Sequence, residues 1–290
     1  MSEVDISGTL HSHASAASST PRPDRLQLFW MRPRSFPGNF GDELSAPLIE
    51  ANTPWRVEWA SLSRCTHLGA GSILQFPWTR GTIAENPAMH VLGSGLMTPE
   101  LVASPVQQIN LVAVRGRLTQ SVLQSQGHPV SGNVGDLGIL ASTLLSGNRD
   151  KTHEFGIIPH HSRFERYLPL FSGNPEARLI DVRSKDCVDV LNQISECRII
   201  ISESLHGLIA ADSLHVPNVW LRTPPFHTGG HFKFLDYFSS LGRNPERFVG
   251  LEQINSRRAL MDAAHSDWSA VDQLKTHVMQ WLRSHVASLR

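Results

Sequence analysis

Short apolar runs separated by longer helical patterns constrain the fold of this chain more than any other feature of its sequence. The runs predicted as strands are 26–31, 65–70, 89–94, 110–114, 154–159, 177–182, 197–201 and 218–221. The helical patterns between them include 116–127, 185–197 and 205–215. Strands that alternate with helices predict parallel sheets covered on both faces, so the expected fold class is α/β.

A polar stretch at 144–154 divides these patterns into two groups. We predict two doubly wound halves, at 24–148 and 149–265, which face each other across a cleft. The small and polar residues of 1–23 predict a disordered tail. Residues 266–290 have apolar side chains at helical spacing with basic residues among them, which predicts an amphipathic helix. Such a helix either lies on a membrane surface or packs against the body of the protein.

Composition argues against several classes of protein. Lys plus Arg and Asp plus Glu number 26 each in 290 residues, so no global field recruits nucleic acid or an anionic membrane. No apolar run reaches the roughly 18 residues of a membrane span, and the first residues do not resemble a signal peptide. Cys65, Cys187 and Cys197 lack metal-ligand spacing, and their odd number favours reduced thiols. We therefore expect a cytoplasmic protein.

Glycine-containing segments follow predicted strands in the first half, at 38–45, 69–72, 93–95 and 132–138. In open α/β sheets, ligands bind at the carboxyl edge, where glycine lets the backbone approach them. None of the segments has the Lys-Ser or Lys-Thr of a P-loop or a full G-x-G-x-x-G fingerprint. Together the segments predict a cleft lining, although each of them alone is better explained as a tight turn.

The segment SESLHGLIAAD, at 202–212, places His206 in the first turn of a predicted helix. That turn has unpaired N–H groups and a partial positive charge, so it favours an anion such as phosphate or carboxylate. Ser204 is the expected N-cap, and a histidine beside it could transfer a proton near neutral pH. The alternative is a buried histidine that is bonded to a backbone carbonyl.

The segment VAVRGRLTQ, at 112–120, has the same form, with Arg115 at a strand end and Arg117 entering a helix. An arginine there either binds a carboxylate or phosphate through two parallel hydrogen bonds or forms a surface ion pair. Arg115 and His206 could meet across the cleft on a small anion of high charge.

The 15 histidines raise the question of a metal site. His160 and His161 are adjacent, and His227 and His231 are four residues apart, but two glycines between the second pair argue against a helix. No acidic or cysteine ligand stands at a suitable offset. We expect no metal, and we interpret His160 or His161, at a strand end, as a cleft residue.

Eight segments of the chain resemble, in order, the polysaccharide pyruvyl transferase family, especially its short bacterial members that decorate exopolysaccharide repeat units. The segments are NFGDELS, HLGAGSIL, VLGSGL, AVRGRLT, GDLGIL, IIPHH, SESLHGLIAAD and FKFLDYF. The resemblance implies two Rossmann-like domains arranged as in GT-B glycosyltransferases. It implies phosphoenolpyruvate as co-substrate, no other cofactor, and a sugar with two free hydroxyls as acceptor. The product would be a cyclic pyruvate ketal, commonly bridging O4 and O6 of a hexose, with release of phosphate.

The resemblance also implies roles for particular residues. Arg115 corresponds to the arginine of the family's VRG motif, and His206 to the histidine of its LHG motif; both are thought to act on phosphoenolpyruvate. Many members have an arginine where this chain has Ser204 and a proline where it has Arg117. The residues expected to replace the missing donor contact are Arg117, His161 and Lys233.

For the reaction itself, His206 is expected to bind phosphate and to act as the acid or to assist phosphate departure. The acceptor-side residues and candidate bases are Asn39, Asp42, Asp136 and Glu203. Asp42 is alternatively an N-cap, and Asp136 a turn residue. Two other functions stay open: a GT-B glycosyltransferase that uses a nucleotide sugar, and a non-catalytic glycan-binding protein. A lipid-linked acceptor would bring the protein to the inner face of the cytoplasmic membrane.

Overall fold

The computed structural model describes residues 25–32, 38–79, 89–100, 109–147, 149–225 and 228–289. These residues form an α/β structure with two parallel five-stranded sheets, which confirms the predicted fold class. The tail expected at 1–23 lies outside the described residues.

The first sheet has the strand order β2-β1-β3-β4-β5, and all of its neighbouring strands are parallel. Its strands are β1 (Arg25–Phe29), β2 (Arg56–Trp59), β3 (His67–Leu68), β4 (Met89–Ser94) and β5 (Ile109–Val114). In this register His67 of β3 lies opposite Leu28 of β1 on one side and His90 of β4 on the other. Because the strands are parallel, their carboxyl ends meet at one edge of the sheet.

The second sheet has the order β10-β9-β8-β6-β7 and is likewise parallel. Its strands are β6 (His153–Ile158), β7 (Ala177–Leu179), β8 (Cys197–Ser202), β9 (Asn218–Leu221) and β10 (Phe248–Val249). The central strand β8 contains three consecutive buried isoleucines, Ile199 to Ile201. A run of β-branched residues buried on both faces is typical of an inner strand of a parallel sheet.

Helices connect the strands in both sheets. The α-helices are α1 (Phe40–Glu43), α2 (Ser45–Asn52), α3 (Phe76–Thr79), α4 (Arg117–Ser125), α5 (Phe164–Phe171), α6 (Cys187–Ser195), α7 (Leu205–Ser213), α8 (Phe232–Leu241), α9 (Arg257–Ala263) and α10 (Ser269–Ser288). Within the described ranges, the 3₁₀ helices are Leu137–Leu144, His161–Arg163 and Leu251–Gln253. The eight predicted strands and three predicted helices are all present. Strands β2 and β10 were not predicted, and each lies at the edge of its sheet.

One cluster of buried apolar side chains joins the two halves of the chain. It includes Leu28 of β1, Leu140 of the 3₁₀ helix Leu137–Leu144, and Ile200 of β8. That 3₁₀ helix packs against both α2 and α7, and every residue of α7 is buried. The predicted boundary at 148–149 falls between the two sheets, but residue 148 itself lies outside the described residues. The division into two domains stays a prediction.

Helix α10 packs against the body of the protein. Its buried side chains are Val271, Leu274, Val278, Trp281, Leu282, His285 and Val286, and it contacts α7, α8, β5 and the 3₁₀ helix Leu137–Leu144. Of the two alternatives for 266–290, the structure therefore shows the packed helix, and its apolar face is not open to a membrane surface. Within the described ranges, no helix combines the length and the apolar character needed to cross a bilayer.

Candidate functional site

A pocket of about 430 Å³ lies between segments that follow strands of both sheets. Its wall includes Met31 after β1, Ser72 after β3, Met97 after β4, His160 after β6 and Ser204 after β8. This position agrees with the carboxyl-edge site expected for open α/β sheets. The structure brings six predicted site residues to the pocket wall: Asn39, Asp42, His161, Ser204, His206 and Lys233.

Helix α7 begins at this pocket. Ser204 occupies its N-cap position, but the side chain makes no capping hydrogen bond. The Ser204 N–H is held instead by Ser202 Oγ, at 3.0 Å. The first turn of an α-helix presents N–H groups without helical partners and a partial positive charge. This end of the pocket therefore suits a phosphate or a carboxylate, as predicted.

His206 lies one residue into α7 and is only 9% exposed. Its Nε2 atom is 3.7 Å from Asp136 Oδ2, and neither of these buried atoms has a hydrogen-bond partner among the described residues. The other Asp136 oxygen accepts a hydrogen bond from Gly138 N at 2.8 Å, which makes Asp136 the N-cap of the following 3₁₀ helix. Asp136 is thus fixed by the backbone beside the imidazole, and its second oxygen faces the buried Nε2 atom of His206.

Gly41 brings helix α1 of the first half against His206 of the second half. A Cβ atom at residue 41 would overlap the Nδ1 atom of His206, so only glycine permits this approach. Asn39 holds Gly41 in this position. It is the N-cap of α1, and its side chain accepts a hydrogen bond from Gly41 N at 3.2 Å. Asn39 therefore has a structural role in addition to its place in the pocket wall.

Asp42 and Lys233 bring two groups that titrate near neutral pH into the same pocket. Burial raises the pKa of Asp42 to about 7, although the positive charges of His206 and Lys233 oppose the shift. Burial lowers the pKa of Lys233 to about 8, and the nearby charge of Arg115 acts in the same direction. A carboxyl and an amine that can each give or take a proton near pH 7 are suited to acid–base catalysis.

Arg115 lies behind the pocket wall, and its ion pair is buried, whereas the predicted alternatives were a direct ligand contact and a surface ion pair. Its side chain is fully buried and pairs with Asp236 Oδ2, 2.9 Å from Arg115 Nε. Its Nη1 donates to Ser72 Oγ and its Nη2 to Leu96 O, both at 2.7 Å. Because Ser72 lines the pocket, Arg115 acts on the pocket through Ser72 and through its charge.

Asp236, on α8, supports the site from behind through its contact with Arg115 and was not among the predicted residues. Its carboxylate is fully buried and accepts hydrogen bonds from Arg115 Nε, Thr119 N and Thr119 Oγ1. It thereby links α8 of the second half to α4 and the end of β5 in the first half. The available signal was an aspartate inside the apolar helical segment FKFLDYF, since a buried carboxylate requires partners.

Glu203 directly follows β8 and is not part of the pocket wall. It forms a separate hydrogen-bond network. Its oxygens accept hydrogen bonds from Arg163 Nη1, Thr223 Oγ1, Tyr167 OH and the His160 N–H. These contacts hold together the segments that follow β6, β8 and β9. The arrangement fits a structural anchor, and it does not fit the predicted base that is open to the acceptor.

Arg117 is also absent from the pocket wall. It is the first residue of α4, its side chain is exposed, and its N–H donates to Ser239 Oγ at 2.9 Å. The predicted donor contact of Arg117 therefore has no support in this structure. His161, by contrast, lines the pocket, where its ring lies 3.9 Å from the ring of His160 between centroids.

The described residues contain a group of potential metal ligands that sequence proximity did not reveal. His67, His90 and His285 each place a ring nitrogen within 4.8 Å of the others, and they lie away from the pocket. The expectation of no metal rested on histidines that are near one another in the sequence. Of those, His227 lies outside the described residues, and His160 and His161 belong to the pocket wall.

Comparison with known proteins supports the resemblance found in the sequence. Residues 91–224 match the model of a family described as polysaccharide pyruvyl transferase. An uncharacterised protein of Acanthamoeba polyphaga mimivirus is 31% identical over 176 residues, which cover 58% of this chain and 61% of the relative. The succinoglycan biosynthesis protein ExoV of Rhizobium meliloti is 26% identical over 215 residues, which cover 71% of this chain and 62% of the relative. The matched part of the chain thus spans about six tenths of these curated relatives, and the expected resemblance to this family is confirmed.

Proposed function

Because residues 91–224 match the polysaccharide pyruvyl transferase family, we propose that this protein transfers a pyruvyl group from phosphoenolpyruvate to a sugar of an exopolysaccharide repeat unit. The product is a cyclic ketal, which we assign to O4 and O6 of a hexose, and phosphate is released. The similarity to a succinoglycan biosynthesis protein supports a polysaccharide acceptor. The observation that carries the proposal is a single pocket whose wall includes Asp42, His206, Lys233 and the start of α7.

The proposal includes two Rossmann-like domains arranged as in GT-B glycosyltransferases. It is supported by the two parallel sheets and by a pocket whose wall comes from segments after strands of both. We also propose that the acceptor is lipid-linked, which would place the reaction at the inner face of the cytoplasmic membrane.

Phosphoenolpyruvate needs a site that holds a phosphate and a carboxylate close together. In our proposal the phosphate lies at the first turn of α7 beside His206, where the helix end favours an anion. Lys233 holds the carboxylate, and the hydroxyl of Ser72 is oriented by Arg115 Nη1 behind it. The buried charge of Arg115 adds a favourable field without touching the donor.

The chemistry begins when an acid protonates C3, which turns the methylene group into a methyl group and leaves C2 electrophilic. A sugar hydroxyl then attacks C2 and loses its proton, and the bond from C2 to the phosphate oxygen breaks. The second hydroxyl attacks C2 and closes the ring. One of the two hydroxyl protons replaces the proton given to C3, and the other leaves with phosphate.

We assign the proton transfers at C3 and at the attacking hydroxyl to Asp42. With its pKa raised to about 7, this carboxyl is partly protonated at neutral pH and can serve first as acid and then as base. His206, with the Asp136 carboxylate behind it, assists departure of the phosphate by donating to a phosphate oxygen.

Calorimetric titration with phosphoenolpyruvate tests the donor without knowledge of the acceptor. We expect binding by the wild-type protein and a loss of about 10- to 100-fold in affinity for Lys233→Ala and for His206→Ala, because each removes a hydrogen bond to a charged group. Lys275→Ala, on α10 outside the pocket, is the matched control and should bind normally. Parallel titrations use UDP-, GDP- and CMP-sugars.

Two results would contradict the proposal. Binding of a nucleotide sugar without binding of phosphoenolpyruvate would favour a glycosyltransferase. Equal phosphoenolpyruvate affinity in Lys233→Ala and Lys275→Ala would show that the donor binds elsewhere.

A further inference from the structure

We propose that His67, His90 and His285 form a binding site for Zn²⁺ that fastens helix α10 to the first sheet. His67 is the first residue of β3, and His90 is the second residue of β4. They lie opposite each other in the sheet register, at the amino ends of the strands. The proposed transfer reaction uses the carboxyl ends, so this site is separate from it.

The distances fit a metal shared by three imidazoles. His67 Nε2 and His285 Nε2 are 3.0 Å apart. Two nitrogens bound to one tetrahedral Zn²⁺ at about 2.0–2.1 Å lie about 3.3 Å from each other. All three ring nitrogens lie within 4.8 Å of one another, so a small rotation of the His90 ring completes the set.

Hydrogen bonds around His67 point its Nε2 lone pair into the cluster. The Thr66 hydroxyl donates its single proton to Gln27 O at 3.1 Å. Thr66 Oγ1 must therefore accept the 2.8 Å hydrogen bond that it shares with His67 Nδ1. With the proton on Nδ1, Nε2 carries the lone pair, and a second partner that fixes the tautomer in this way is typical of metal-binding histidines.

His90 and His285 have surroundings that suit the same role. His90 Nδ1 lies 3.1 Å from the side-chain amide of Asn110, and a turn of that amide would let its oxygen accept a proton from Nδ1. The Trp55 ring packs edge-on against His67 and His285, with centroid distances of 5.6 and 6.1 Å. Two of the three ligands, His67 and His90, thus have second partners, and Trp55 gives the cluster an aromatic cover.

The ligand type favours Zn²⁺. Three imidazoles without a carboxylate suit Zn²⁺ and related transition metals rather than Mg²⁺ or Ca²⁺. An open cleft of about 420 Å³, whose wall includes Asn110 and His285, provides a route of entry from the His285 side.

A zinc ion at this point would connect two parts of the chain that are distant in sequence. His67 and His285 are 218 residues apart, and α10 otherwise contacts the first sheet through β5. The metal would therefore link these two parts, and its binding should show in the thermal stability of the whole protein.

In the test, the full chain is stripped with a chelator, Zn²⁺ is added in excess, and unbound metal is removed by dialysis. We expect one Zn²⁺ per chain by mass spectrometry of the metal and a rise of several degrees in Tm on adding Zn²⁺. Co²⁺ should give the visible absorption of a tetrahedral site. His285→Ala and His90→Gln should each lose the bound metal, the Tm rise and the Co²⁺ absorption. The matched control is His277→Ala, which is on the same helix and outside the cluster.

Two outcomes would overturn the proposal. The first is that the wild-type protein retains no stoichiometric Zn²⁺. The second is that His285→Ala and His90→Gln still bind Zn²⁺, which would place the metal on other residues. If His285→Ala fails to fold, His90→Gln carries the test, because His90 is the less buried ring. Phosphoenolpyruvate binding is not a readout here, so the zinc site and the proposed transfer reaction succeed or fail separately.

Discussion

Replacing Asp236 with alanine should lower the free energy of unfolding by about 3–5 kcal/mol, because it leaves Arg115 as a buried charge without its partner. Both side chains are fully buried, with 2.9 Å between Arg115 Nε and Asp236 Oδ2. The same carboxylate also accepts hydrogen bonds from Thr119 N and Thr119 Oγ1, and these donors lose their acceptor as well. The expected loss is a large part of the roughly 5–15 kcal/mol that stabilises an ordinary protein.

The double variant Arg115→Met with Asp236→Leu separates charge burial from packing. It removes the cation and the carboxylate together, so no unpaired charge stays in the interior. We expect the double variant to cost less than the sum of Arg115→Met and Asp236→Leu measured alone. The difference should be at the upper end of the roughly 0.5–3 kcal/mol found between residues in contact.

Urea unfolding followed by tryptophan fluorescence measures these free energies. The matched control is Asp272→Ala, which breaks an exposed pair with His215 and should cost only about 0–1 kcal/mol. A loss for Asp236→Ala no larger than that of the control would refute the argument. So would single-variant costs that simply add up in the double variant.

Two further predictions concern the pocket. Gly41→Ala should weaken phosphoenolpyruvate binding by about tenfold or more, because the added methyl group must displace the His206 ring. Calorimetry measures this affinity, and the control is Gly132→Ala, where the added group meets no neighbour within 4 Å. Equal affinities of the two variants would contradict the prediction. Burial raises the pKa of Asp42 from 3.8 to about 7, so the folded protein keeps a proton that the unfolded chain has released between these pH values. The associated stability is present below pH 3.8 and is lost as pH rises to about 7. Urea midpoints across this range should fall less steeply for Asp42→Asn than for the wild type, and identical slopes would exclude the shift.

The fold could be predicted from the sequence wherever a strand is a continuous apolar run. Strand β8 is such a case, since Ile199 to Ile201 are buried in the middle of a sheet. Strand β2 was missed because its residues Arg56–Trp59 include two charged side chains, and none of the four is fully buried. Strand β10 has only two residues, Phe248–Val249, and a pattern that short cannot be distinguished from a turn. Both are edge strands, and each pairs with a single neighbouring strand of its sheet.

The candidate site could be predicted only as far as the ends of strands. His206 and Ser204 were located correctly at the start of a helix because the change from an apolar run to a helical pattern is visible in the sequence. The ion-pair partner of Arg115 could not be predicted, because Asp236 is 121 residues further along the chain. The direction of a side chain at a strand end depends on such distant partners, and one sequence without its fold contains no signal for them.

The apolar cluster that joins the two halves also determines how a ligand can enter the pocket. The 3₁₀ helix Leu137–Leu144 packs against α2 and α7 and belongs to the same cluster as β1 and β8. Swinging the two sheets apart as rigid bodies would expose this surface to water, at a cost of about 25 cal/mol for each Å² of apolar area. A small anion would therefore meet a cavity that is already shaped, and its affinity would not be reduced by the free energy of a closing motion.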